Sequence, residues 1–144
     1  MRVLLDTNVV VSGLLFSGAP RRLLRIVSAS PFELWTSRPL LRELAATLAY
    51  QKLAAAVEGT GLRVEDLVES YAAQTLVVPD EDLPTMPFPA DPADAAVLAA
   101  ARAAQVEWLV TGDRHLLDAQ EVTFCSVLGV TEALARAGSL LEKE

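Results

Sequence analysis

A chain of 144 residues with 52% hydrophobic side chains and a net charge of -7 is the size of one ordinary domain, 1–144, with enough apolar material for a sizeable core. Its lone Cys125 excludes a disulfide within the chain, no window is long and apolar enough to span a membrane, and Asp6 comes too early for a signal-peptide core, so a soluble cytoplasmic protein with no membrane partner is expected. The net acidity hides an asymmetry: residues 1–63 carry eight Lys or Arg against four acids, whereas residues 64–144 carry four against fifteen.

In chain order, Val3-Leu4-Leu5 is an apolar run suited to a central parallel strand, and Asp6-Thr7-Asn8 supplies turn and capping chemistry directly after it. Residues 9–16 read as a short helix opened by Asn8, and Ser17-Gly18-Ala19-Pro20 breaks it before a second helix over 21–28. Residues 32–36 are a strand candidate. Ser37 caps a helix with Pro39 in its first turn, amphipathic through Leu40, Leu41, Leu44, Ala45 and Leu48, with Glu43 near its start. Two further helices are predicted over 52–57 and 64–74, separated by Gly59-Thr60-Gly61, and then a strand over 75–78.

Residues 79–92 hold five of the eight prolines and predict an extended loop without regular structure. Asp91-Pro92-Ala93-Asp94 opens an Ala-rich helix over 95–104, with acids where the helix dipole favours them. Residues 107–111 form the next strand candidate, ending in Gly112-Asp113. A last strand over 122–127 and a helix over 130–137 close the chain. This alternation predicts a three-layer α/β/α fold with a mostly parallel central sheet.

Four acids fall where such a sheet brings distant segments together: Asp6 and Asp113 after strands, Glu43 early in a helix and Asp94 at a helix start. If both strands are central and parallel, their carboxyl ends share the edge at which open α/β sheets bind ligands. Carboxylates about 4 Å apart repel by roughly 4 kcal/mol per pair at a surface-like dielectric, so a group of them calls for a cation. Oxygen-only ligands select Mg²⁺ or Mn²⁺, and no Cys or His cluster competes. Each acid also has a simpler reading: Asp94 as a first-turn acid, Glu43 as a solvated helix residue, Asp113 as a turn residue bonding its own backbone. Asp6, flanked by apolar residues on both sides, is the hardest to explain that way.

Leu5-Asp6-Thr7-Asn8-Val9-Val10-Val11-Ser12, Glu43, Asp91-Pro92-Ala93-Asp94 and Leu109-Val110-Thr111-Gly112-Asp113-Arg114-His115-Leu116-Leu117 together resemble the PIN domain (PilT N-terminus-like), over almost the whole chain. The first and last motifs are the specific ones. The resemblance implies a Mg²⁺- or Mn²⁺-dependent endoribonuclease, the VapC-like toxin of a toxin-antitoxin pair. It implies that Asp6, Glu43, Asp94 and Asp113 are the catalytic and metal-binding acids, supported by Asn8, Ser12, Thr111 and His115. Asn8 and Ser12 read equally as a helix cap and a first-turn hydroxyl. His115 departs from the family pattern, because related sequences commonly carry an acid at that place. Its simpler reading is a loop or capping histidine, and the missing charge bears on whether a second metal is held.

Arg21, Arg22, Arg25, Arg38 and Arg42, with Lys52, form the only basic concentration, readable as a solvated helix face or as a weak RNA-backbone contact. A toxin implies a small antitoxin protein as partner, and the apolar helices of residues 40–57 and 64–74 offer a surface for a homodimer or higher oligomer. Two other readings stand beside it. One is an inactive PIN-like scaffold that binds RNA or protein. The other is a Mg²⁺-dependent aspartyl-phosphate phosphatase, which the placement of Asn8 and of the two lysines, Lys52 and Lys143, disfavours.

Overall fold

Strands β1 (Arg2–Leu5), β2 (Glu33–Ser37), β3 (Leu76–Val78), β4 (Trp108–Val110) and β5 (Ser126–Leu128) form one sheet in the order β3-β2-β1-β4-β5. All four pairings are parallel, with Leu4 opposite both Trp35 and Leu109. The sheet belongs to a computed structural model that describes residues 1–87 and 92–143. β1 is central, and the last three of its four residues are buried, as are all three of β4, which is why these segments read as unbroken apolar runs.

Side-chain alternation sends Val3, Leu5, Leu34, Trp108, Val110 and Leu128 to one core and Leu4, Leu109 and Val78 to the other. The first core is covered by α1 (Thr7–Leu15), α2 (Ala19–Val27), α4 (Ala54–Gly59), α5 (Val64–Ala73) and α8 (Val130–Glu142). The second is covered by α6 (Pro92–Ala104) and the one-turn α7 (Arg114–Leu117). Between them α3 (Arg38–Leu48) contributes Leu44 and Leu48 to the first core and Leu40 to the second. The result is the three-layer α/β/α arrangement, with every strand parallel.

Several local expectations shift. The first helix is capped by Asp6, whose carboxylate accepts the Thr7 N–H, and Asn8 is already inside it. Ser12 therefore lies in the second turn rather than the first. Residues 52–57 split into a 3-10 turn at Gln51–Leu53 followed by α4. The proline-rich loop contains a 3-10 turn at Asp80–Asp82; residues 88–91, including Asp91 of the Asp-Pro-Ala-Asp motif, lie outside the described residues.

The last strand pairs through residues 126–128, not 122–127, because β4 is three residues long and sets Trp108 opposite Ser126. Val122 and Phe124 instead pack sideways against the second core. The closing helix runs five residues beyond the expected Ala137, to Glu142. None of the helices among the described residues is long and apolar enough to cross a membrane.

Candidate active site at the sheet switch point

Strand order reverses at β1: the chain builds β2 and β3 on one side and then crosses to place β4 and β5 on the other. The crevice beyond the carboxyl ends of β1 and β4 is where such sheets hold ligands. The buried polar side chains among the described residues are Thr7, Thr36, Ser37 and Thr111, each at or just beyond the carboxyl end of β1, β2 or β4. The buried Ser and Thr side chains thus gather at one edge of the sheet.

At that edge Asp6 follows β1, and its backbone N–H donates to the Val110 carbonyl at 2.9 Å, which extends the β1–β4 ladder by one step. The half-buried Asp6 carboxylate then accepts two hydrogen bonds. Oδ1 takes the Thr7 N–H at 2.8 Å, and Oδ2 takes the Thr111 hydroxyl at 2.7 Å. The same Thr111 oxygen accepts the Asp113 backbone N–H at 3.0 Å. Asp113 in turn caps α7, its Oδ1 accepting the His115 N–H at 2.9 Å. One fully buried hydroxyl therefore ties together two acids that are 107 positions apart in the chain.

Glu43 and Asp94 reach the neighbourhood through their elements. Ser37, the last residue of β2, caps α3 by accepting the Leu40 N–H at 3.4 Å, and Glu43 follows in the second turn, half-buried. Asp94 is half-buried in the first turn of α6. Helix α6 packs on β1, β2 and β3 and touches α3, which itself touches α1. Among the described residues, no three His, Cys, Asp or Glu side chains converge closely enough to hold a metal ion. A side-chain bond thus joins Asp6 to Thr111, and the backbone N–H of Asp113 joins that pair, while Glu43 and Asp94 stand on the adjoining helices. Asn8 and His115 are exposed, Ser12 half-buried.

A PIN domain family model matches residues 2–115. The chain belongs to the PIN domain family. Its fold is similar to that in the crystal structure of VapBC2 from Rickettsia felis bound to a DNA fragment from their promoter, with a TM-score of 0.61 and 12% identity over 90% of this chain and 98% of that one. None of the curated proteins matches the sequence.

Within this PIN domain the arginines divide by what they touch. Arg21 donates from its guanidinium to the carbonyls of Gly13 and Leu14, at 3.3 and 3.2 Å, and so satisfies the C-terminal end of α1. Arg22, Arg25 and Arg42 are exposed, and Arg38 stands 3.8 Å from Asp80. Sequence reasoning placed Thr111 in the site without its role as a tie, and did not single out Thr36. The available signal was a hydroxyl residue ending or following an apolar strand, in Leu34-Trp35-Thr36 and Leu109-Val110-Thr111.

Proposed function

We propose that this PIN domain is an endoribonuclease that hydrolyses RNA phosphodiester bonds with a divalent cation, Mg²⁺ or Mn²⁺, held by Asp6, Asp94, Asp113 and Glu43. The observation that carries the reading is the Asp6–Thr111–Asp113 tie at the switch point of a PIN fold. The donor set fits a hard cation. Each Asp6 oxygen gives one lone-pair direction to a hydrogen bond and keeps another, and the acids offer oxygen alone.

When bound, the cation would supply an activated water and charge neutralisation at the leaving oxygen. The protein's own contribution is positioning. The N-termini of α1 and α3 open at this edge and offset part of the acids' mutual repulsion. The Thr111 hydroxyl sets the rotation of the Asp6 carboxylate, and with its oxygen as acceptor it also fixes where Asp113 begins. Asp6 follows buried β1 directly and Asp113 follows β4 after a short loop that the Thr111 hydroxyl ties to Asp6, so core strands and one hydrogen-bonded turn set their spacing. Asn8, Ser12 and His115 flank the acids, and His115 adds a neutral or cationic group where a further carboxylate would add negative charge.

Likeness in fold to a VapBC structure supports a toxin role with a small antitoxin partner, and this reading extends to a cytoplasmic site of action. The test is cleavage of single-stranded RNA with Mg²⁺, with Mn²⁺ and with chelator. Asp6→Asn keeps the α1 cap, because Asn caps as well as Asp, and it should abolish metal-stimulated cleavage while the protein stays folded. Full activity in that variant would sink the assignment.

A further inference from the structure

Helix α3 carries Arg38 and Arg42 one turn apart, and both residues line an open, mostly apolar cleft of about 360 Å³ whose other walls are Leu41, Ala45 and Val68 of α3 and α5. We infer that this cleft is a nucleotide subsite in which the Arg38–Arg42 pair holds an RNA phosphate next to the scissile one and the aliphatic floor takes the attached base.

Three observations support it. The cleft pairs the two features a nucleotide needs: cationic donors for a phosphate and an apolar surface for a base face. Its cations are open to a new partner. Arg38 is 71% exposed and has only the 3.8 Å ion pair with Asp80, and Arg42 makes no ion pair among the described residues. By contrast Arg21 is committed to backbone carbonyls.

The third observation is position. Leu4 is opposite Trp35 in the parallel ladder, so Ser37, two residues on, comes level with Asp6, two residues beyond Leu4. Neighbouring strands lie about 4.8 Å apart, and Arg38 follows Ser37 directly. An RNA strand leaving the acidic edge would therefore pass onto α3 at its first turn. In a chain with net charge -7 a pair of lightly engaged arginines on the helix that follows β2 is a place where a polyanion gains affinity that the acids oppose.

The subsite rests on the ribonuclease reading, and its test separates the two. Binding of a short labelled single-stranded RNA to full-length Asp6→Asn protein is followed by anisotropy across a salt series, so that no cleavage is needed. Replacing both Arg38 and Arg42 by Ala should weaken binding about tenfold and make the salt dependence shallower by about 0.7, the contribution of the one phosphate that is no longer neutralised. Leu41→Asp, which puts a carboxylate on the floor and leaves both arginines in place, should weaken it comparably.

The pair Arg22→Ala with Arg25→Ala on α2 should leave affinity within twofold. Unchanged affinity in the Arg38/Arg42 double variant overturns the subsite, and so does an equal loss in the Arg22/Arg25 control. A change of oligomeric state in the double variant, read by light scattering, would make the cleft a protein interface and overturn it too. RNA bound through this cleft by a wild-type protein that never cuts would instead sink hydrolysis and leave the subsite standing.

Discussion

At the scale of single residues, Thr111 carries more than its hydroxyl suggests. It is fully buried directly after β4, it orients one acid, and it anchors the start of another. Thr111→Val preserves shape and removes both hydrogen bonds, which leaves Asp6 Oδ2 and the Asp113 N–H to find other partners. Loss of such an orienting partner commonly costs 10- to 100-fold in metal affinity or activity, and that is the fall expected in Mn²⁺-dependent cleavage, with Thr111→Ser restoring most of it. A Val variant as active as wild type would remove Thr111 from the site.

Asp6 was legible in the sequence because an acid directly after an apolar run has few structural uses. The tie through Thr111 was not, because nothing local to either segment says that residues 6 and 111 share a hydrogen bond.

Tyr71 is a different case: its hydroxyl is buried on α5 without a partner among the described residues, and burial pushes its ionisation well above the usual tyrosine range. Removing an unpartnered hydroxyl costs nothing in hydrogen bonding, so Tyr71→Phe should equal or exceed wild-type stability by up to about 1–2 kcal/mol at neutral pH. Burial likewise pushes the Cys125 thiol up to about 11 from 9.0. Both groups hold their protons longer in the folded chain than in the unfolded one. The associated stability is therefore complete below about pH 9 and falls as pH rises through about 11. Urea titrations at neutral and high pH should show this loss, smaller in Tyr71→Phe.

At the scale of elements, the helix caps explain both the successes and the misses. Ser37 and Pro39 announced α3, and the structure begins the helix one residue after Ser37, as a capping serine requires. Asp113 caps α7 in the same way, but a four-residue helix has no apolar period to read, so the sequence predicted no element over Arg114–Leu117. The last strand was misplaced because Val122 and Phe124 are apolar for packing, with Phe124 under the Arg102 guanidinium at 5.1 Å, rather than for pairing.

One element boundary carries strain that a substitution can relieve. Gln105, just past the end of α6, has φ 54°, the left-handed conformation that usually falls to glycine after a helix. A side chain in that region costs roughly 1 kcal/mol. Gln105→Gly should raise stability by about 0.5–1 kcal/mol in chemical denaturation, and a loss of that size would show that the Gln side chain contributes packing that outweighs the strain.

At the scale of the whole molecule, the alternation of apolar runs and amphipathic helices made the parallel α/β class readable, since both faces of the sheet had to be covered. Strand order was not readable from those patterns. It depends on the crossing between β3 and β4, which runs through the proline-rich segment and α6 and carries no local signature of its destination. Yet that crossing is what makes a site, because it puts β4 beside β1 and so Thr111 and Asp113 beside Asp6. The charge asymmetry maps onto the fold: the basic half carries Asp6 after β1 and Arg38 and Arg42 on α3, while the acidic half carries Asp94 on α6 and brings Asp113 to Asp6 through Thr111.

The central claim is that this edge holds a divalent cation, and it can be tested without knowing which RNA is cut. Mn²⁺ titration of the full-length protein, followed by electron paramagnetic resonance, should show saturable binding in the wild type. It should be abolished or weakened at least tenfold in Asp6→Asn and in Asp113→Asn, both of which remain folded. Mn²⁺ bound equally well by wild type and both variants would contradict the account.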